Sequence, residues 1–129
     1  MTEQRNPVSE HIDQGSAIEI LRIINNEDKK IALAIEKILP DIACAVDCIT
    51  QHLCHGGRLF YIGAGTSGRL GILDAVECPP TYSTAPDLIQ GLIAGGKEAI
   101  FKAREGAEDS LILADQDLRS LHFSNADVL

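Results

Sequence analysis

An α/β domain behind an N-terminal helical segment is the fold this sequence predicts, and three observations carry it. Residues 59–62, Leu-Phe-Tyr-Ile, form a short apolar, β-prone run that ends in glycines and gives way to helical spacing. Residues 88–94 repeat that arrangement and close on Gly95-Gly96, while Val128 and Leu129 read as the opening of a third strand. Strands that alternate with helices imply a parallel sheet with crossover helices on its faces.

The elements follow in order. Residues 1–15 have no sustained period and contain Asn6-Pro7, so they read as an extended arm with Val8 and Ile12 as its few apolar anchors. Ser16 followed by Glu19 is a capping-box spacing, in which the hydroxyl takes an N-terminal amide and the carboxylate reaches back. A short helix through Ile20, Leu21, Ile23 and Ile24 is expected to about Asn26. A second should begin near Glu27 and Asp28, acids that favour a helix N-terminus, and carry Ile31, Ala34, Ile35, Ile38 and Leu39. Pro40 bends that helix or restarts it at a first-turn position. Ile42, Val46, Ile49 and Leu53 then repeat the amphipathic pattern until Gly56-Gly57 supplies a left-handed stop. Residues 1–55 are thus an arm with helices, and 56–129 the start of the α/β domain. Within the latter, a helix through Leu70, Leu73 and Ala75 should end at Cys78-Pro79-Pro80, and further helices are expected over 97–104 and 110–118.

Composition narrows the function. The 129 residues are 45% hydrophobic and 23% charged, enough for one globular domain. Eleven Lys and Arg against nineteen Asp and Glu give a net charge of −8, which repels nucleic acid and anionic lipid alike. No apolar run is long enough to span a membrane and residues 1–13 are polar, so the chain reads as soluble, unexported and cytoplasmic. With 4% aromatic residues and no Trp, stacking platforms for bases or sugars are scarce. Among the cysteines, Cys44 and Cys48 fall on one helical stripe with His52; a metal stripe and a pair of small buried hydrophobes are the two readings, the second being the ordinary one.

The turn after the first strand is the informative segment. A glycine-rich strand-to-helix turn leaves backbone amides free at the positive end of a helix, which suits a phosphate. Gly63, Gly65 and Gly68 satisfy the G-x-G-x-x-G spacing of dinucleotide sites, but no acidic residue ends the second strand to hold a ribose. Thr66 and Ser67 instead offer two adjacent hydroxyls, with Arg69 close by, and a phosphomonoester fits better than a pyrophosphate. The alternative is a tight turn whose glycines serve only close packing.

Residues 63–82, Gly-Ala-Gly-Thr-Ser-Gly-Arg-Leu-Gly-Ile-Leu-Asp-Ala-Val-Glu-Cys-Pro-Pro-Thr-Tyr, closely resemble the signature of the N-acetylmuramic acid 6-phosphate etherases, members of the sugar isomerase (SIS) superfamily. The resemblance extends through Thr2-Glu3-Gln4-Arg5-Asn6-Pro7 with Ile12-Asp13, Ile23-Ile24-Asn25-Asn26-Glu27-Asp28, Ile93-Ala94-Gly95-Gly96 and Glu105-Gly106-Ala107-Glu108-Asp109. It implies a partial SIS-type parallel sheet flanked by helices, and a reaction in which a muramic acid 6-phosphate loses D-lactate from C3 and gains water. Such an elimination needs a base for the C2 proton and an acid for the departing lactyl oxygen.

By the resemblance, the proton donor falls on Glu77 and a second catalytic glutamate on Glu108. The loop, Gly65, Thr66, Ser67, Gly68 and Arg69, would hold the substrate phosphate. A solvated helix-end carboxylate is the plain reading of Glu77, a solvated acidic face that of Glu108, and an ion pair with Asp74 that of Arg69. With Glu77 at the end of its helix, it is expected to share a cleft with the phosphate. No metal or organic cofactor is implied. The rival reading is a non-catalytic sugar-phosphate sensor, since glucokinase regulatory proteins resemble the etherases. The family's length, roughly twice this one, makes these residues an N-terminal portion, expected to be marginally stable alone or to depend on a partner; the resemblance implies a homodimer.

Overall fold

A computed structural model describes residues 4–129, so the Thr2 and Glu3 of the arm lie outside the described residues. The chain divides into two compact units, Met1–Ala45 and Val46–Leu129.

In the first unit the arm is not extended throughout. Pro7–Ser9 and Ile12–Gln14 are 3-10 turns; Asn6 caps the first, its side-chain oxygen accepting from the Val8 amide, and Pro7 supplies a fixed φ where no amide donor is needed. A single helix, α1 (Ala17–Glu36), replaces the two short helices expected. Its start is the predicted capping box, with the Glu19 carboxylate accepting from the Ser16 amide at 2.8 Å. There is no break at Asn25-Asn26, because Glu27 works in mid-helix. Its carboxylate accepts from Asn6 Nδ2 at 3.0 Å and pairs with Lys30 one turn on.

The next helix, α2 (Leu39–Cys54), takes Pro40 in its first turn, as the restart reading requires. It ends where Gly56 adopts φ +85° and the Gly57 amide reaches back to the His52 carbonyl at 2.9 Å, the predicted glycine stop. The boundary between the units falls inside this helix. Cys44 and Cys48 are exposed, which corrects the expectation that they are buried. They sit on a helix face to which the described residues of their own turns offer no cover.

The second unit is the α/β domain. Strand β1 (Leu59–Gly63) leads into helix α3 (Gly65–Tyr82), then strand β2 (Ile89–Ile93), which pairs with β1 in parallel, Leu59 opposite Ile89 and Gly63 opposite Ile93. Val128 forms a parallel bridge to Leu59 on the other edge of β1, so the third strand opens as expected and β1 is central. The core is Phe60, 1% exposed, with Leu59, Ile93, Ala75, Cys78 and Ala99.

Two helix ends differ from the sequence reading. Helix α3 runs through Pro79 and Pro80 and closes only at Ser83, in the left-handed conformation with its amide on the Pro79 carbonyl at 2.9 Å. The prolines lie in the last turn, where few backbone bonds remain to be lost and their fixed φ still suits a helix. After β2, the helix expected over 97–104 is only a 3-10 turn, Lys97–Ile100. The carbonyls of Ala99 and Ile100, which a longer helix would use, accept instead from the Arg69 guanidinium at 2.7 and 2.8 Å. Helix α4 (Leu113–Ser120) begins three residues later than expected, with the Ser110 hydroxyl accepting from the Leu113 amide.

Candidate active site

The site is built at the C-terminal ends of β1 and β2, where the strands of a parallel sheet hand the chain to crossover loops. The glycines there do two different jobs. Gly68 is buried against the sheet: a Cβ on it would lie 2.7 Å from the Gly63 carbonyl oxygen and 2.7 Å from Ile93 Cγ1. Gly71 and Gly91 are equally confined, against Tyr61 and Ile72. These positions let α3 lie directly on the strands, as the close-packing reading holds. Gly65 is different. It has φ +53° and open space where a Cβ would be, so its requirement is conformational, and its surface faces outward.

This turn starts α3 with no side-chain cap. The first intrahelical bond is Gly68 N–H to the Ala64 carbonyl, so among the described residues the amides of Gly65, Thr66 and Ser67 have no acceptor. Both hydroxyls, of Thr66 and Ser67, are exposed and likewise without a partner among the described residues. Free donors and the positive end of an eighteen-residue helix therefore converge on one spot.

Beside it lies a cleft of about 350 Å³ lined by Gly65, Arg69, Ala94, Arg104, Glu105 and Glu108, among others. A second hollow of about 220 Å³ shares Ala64, Ala94 and Glu108 and extends past Ser110 to Asp117. Gly65, Arg69 and Glu108 are thus brought together. Thr66 and Ser67 stand on the adjacent first turn, and Gly68 supports the loop from below.

Arg69 is anchored through Nε and Nη2 to the backbone of residues 99–100, which ties α3 to the segment after β2 and leaves its Nη1 donors uncommitted to those carbonyls. The ion pair considered with Asp74 does not form. Asp74 instead lies beside Tyr61, whose phenol is pushed up to about 12 by burial and by that carboxylate. Burial also raises the Cys78 thiol, which donates to the Asp74 carbonyl and is inert.

Glu77 is not part of this cleft. With α3 continuing to Tyr82, it lies in mid-helix, exposed, twelve residues beyond Gly65, which corresponds to about 18 Å along the axis. The expectation that it stands at a helix end is therefore corrected, and it does not line the cleft beside the glycine loop as expected. Sequence reasoning also missed Arg104. Its side chain lies against Gly95, which has φ +88°, lines the cleft and pairs with Glu98. The Gly95-Gly96 pair was the available signal, read only as a strand end.

Among the described residues no group of three or more His, Cys, Asp or Glu side chains converges as a metal site, and no helix is long and apolar enough to cross a membrane. His52 turns its Nδ1 to the Cys48 carbonyl at 2.9 Å.

A parallel strand pair, a glycine loop opening onto a helix N-terminus and a cleft over the strand ends together define a parallel α/β domain with its loop and cleft where such folds take ligands. The particular family follows from comparison: residues 41–129 match the glucokinase regulatory protein N-terminal SIS domain, and the chain belongs to that family. It is 61% identical over its whole length to an N-acetylmuramic acid 6-phosphate etherase of Vibrio vulnificus strain YJ016, and 59% to one of Photorhabdus laumondii. To that of Clostridium beijerinckii it is 58% identical over 99% of its length. The chain spans 43% of the Vibrio and Photorhabdus proteins and 42% of the Clostridium one.

Proposed function

We propose that this chain contributes the phosphate-binding loop and the catalytic carboxyls of an N-acetylmuramic acid 6-phosphate etherase, a carbon–oxygen lyase. The observation that carries the reading is the cleft that Gly65, Arg69 and Glu108 line, next to the helix turn whose amides at residues 65–67 are unbonded among the described residues. It is supported by relatives of that name at 57 to 61% identity.

In this reading the substrate's 6-phosphate sits on the amides of Gly65, Thr66 and Ser67 and on the two hydroxyls. Arg69 lends positive charge while held in place by its backbone bonds. A base removes the C2 proton, the C3–oxygen bond to the lactyl group breaks, and an acid protonates the leaving oxygen. Water then adds at C3 and gives N-acetylglucosamine 6-phosphate and D-lactate. Glu108, in the cleft, is placed for one of these proton transfers, and Glu77 is the other carboxyl proposed. Charged sugar phosphates are retained inside cells, which suits a cytoplasmic enzyme, and a homodimer is part of the same reading.

The family match to the regulatory protein favours a second reading, a sugar-phosphate sensor without turnover. D-lactate release from muramic acid 6-phosphate separates the two. Release that Glu108→Gln lowers by at least 100-fold supports the enzyme. Tight binding of sugar phosphate with no lactate supports the sensor.

A further inference from the structure

Two arginines line the cleft, and they are held in opposite ways. Arg69 donates from Nε and Nη2 to the backbone carbonyls of residues 100 and 99, so it is fixed in place while no carboxylate among the described residues neutralises it. Arg104 has a fixed stem and an exchangeable head. A Cβ on Gly95 would lie 3.3 Å from both Cβ and Cδ of Arg104, so the stem runs against the bare backbone there. Its guanidinium bonds, among the described residues, to Glu98 alone. The two side chains of that pair are 50 and 75% exposed, and an ion pair so open to water holds weakly.

The rest of the cleft lining is alanine, Gly65, Glu105 and Glu108. An anion bound away from the glycine loop therefore faces two carboxylates, and Arg104 is the cation that can offset them. We propose that Arg104 leaves Glu98 and takes the carboxylate of the substrate's lactyl group. The proposal rests on the etherase reading, which supplies a ligand with two anions, a 6-phosphate and a carboxylate on the C3 substituent. The loop amides and Arg69 suit the phosphate. The carboxylate is a pure acceptor with two oxygens, which matches the forked donors of a guanidinium. Arg104 then distinguishes substrate from product. N-acetylglucosamine 6-phosphate keeps the phosphate but has no carboxylate, so it binds without this contact, and Arg104 returns to Glu98 once D-lactate departs.

Steady-state lactate release tests this, with N-acetylglucosamine 6-phosphate as the competitor that lacks the carboxylate. Arg104→Gln should raise the KM for N-acetylmuramic acid 6-phosphate by about 10- to 100-fold, the loss of a charge-assisted bond, with kcat within about threefold and circular dichroism unchanged. Inhibition by N-acetylglucosamine 6-phosphate should stay as in the wild type. Arg104→Lys, which keeps the charge without the fork, should recover part of the KM. Glu98→Gln, which releases Arg104, should lower the KM by about two- to fivefold.

Equal weakening of both ligands by Arg104→Gln overturns the assignment and makes Arg104 a second phosphate contact. An unchanged KM overturns it as well. If the wild type releases no lactate, calorimetry with the same two ligands decides: tighter binding of N-acetylmuramic acid 6-phosphate that Arg104→Gln alone abolishes overturns the etherase reading while the carboxylate contact stands. Binding of neither ligand overturns both.

Discussion

Gly63 and Gly68 meet backbone to backbone: a Cβ on Gly63 would lie 2.8 Å from the Gly68 amide nitrogen, and one on Gly68 2.7 Å from the Gly63 carbonyl oxygen. This contact seats the first turn of α3 on the end of β1 and so fixes where the loop amides point. Neither neighbour is a flexible side chain end, so added volume must move backbone.

Gly68→Ala should therefore destabilise the chain by about 1 to 3 kcal/mol, the usual cost of overpacking a tight contact. Urea unfolding of the variant checks it, with the midpoint lowered and the slope unchanged.

Gly65→Ala tests the other kind of glycine. Space is open there, so the penalty is the left-handed backbone alone, about 1 to 2 kcal/mol. Relief of that strain rotates the amides of residues 65–67. Calorimetry with N-acetylglucosamine 6-phosphate should show binding weakened by at least tenfold while the variant stays folded.

Asp127 and Arg58 give a pH prediction. Asp127, with its side chain 3% exposed, accepts from Arg58 Nη2 at 2.9 Å, from Arg58 Nε and amide, and from the Ser124 amide. The Arg58 guanidinium above all holds this carboxyl well below the usual range, against the opposing effect of burial. A lowered folded-state value means the stabilisation is full above the ordinary value of 3.8 and is lost as pH falls below it. Asp127→Asn should cost about 3 to 5 kcal/mol at pH 7 by leaving Arg58 unpaired, and the gap to wild type should narrow on acidification below pH 4. Thermal melts of both proteins from pH 7 to pH 2 check this.

Tyr61 supplies a spectroscopic test. In a Tyr82→Phe background it is the one remaining tyrosine, and its absorbance should titrate near 12. Asp74→Asn should bring the midpoint down, but not to the ordinary value, since burial is the larger cause.

Much of this was legible along the chain because it is set by nearest neighbours. The capping box at Ser16 and Glu19, the stop at Gly56, the strand at 59–63 and the loop glycines all depend on residues within one turn of each other. What misled were features whose meaning depends on distant partners. Glu27 read as a helix start because nothing nearby showed that Asn6 and Lys30 would hold it in mid-helix. Lys97 onward read as a full helix because the claim of Arg69 on the carbonyls of 99 and 100 spans some thirty residues. Pro79 and Pro80 read as an end because a proline's effect depends on how many turns remain after it.

The sequence by itself determined a parallel α/β unit with a glycine- and hydroxyl-rich turn between strand and helix, since alternation, glycine placement and hydroxyl-bearing residues are local and periodic. Only the tertiary structure decided which side chains share the cleft. It seated Glu108 with Gly65 and Arg69, and recruited Arg104. It left Glu77 three turns away on an exposed helix face, because a rigid helix converts sequence separation into distance that a side chain cannot close.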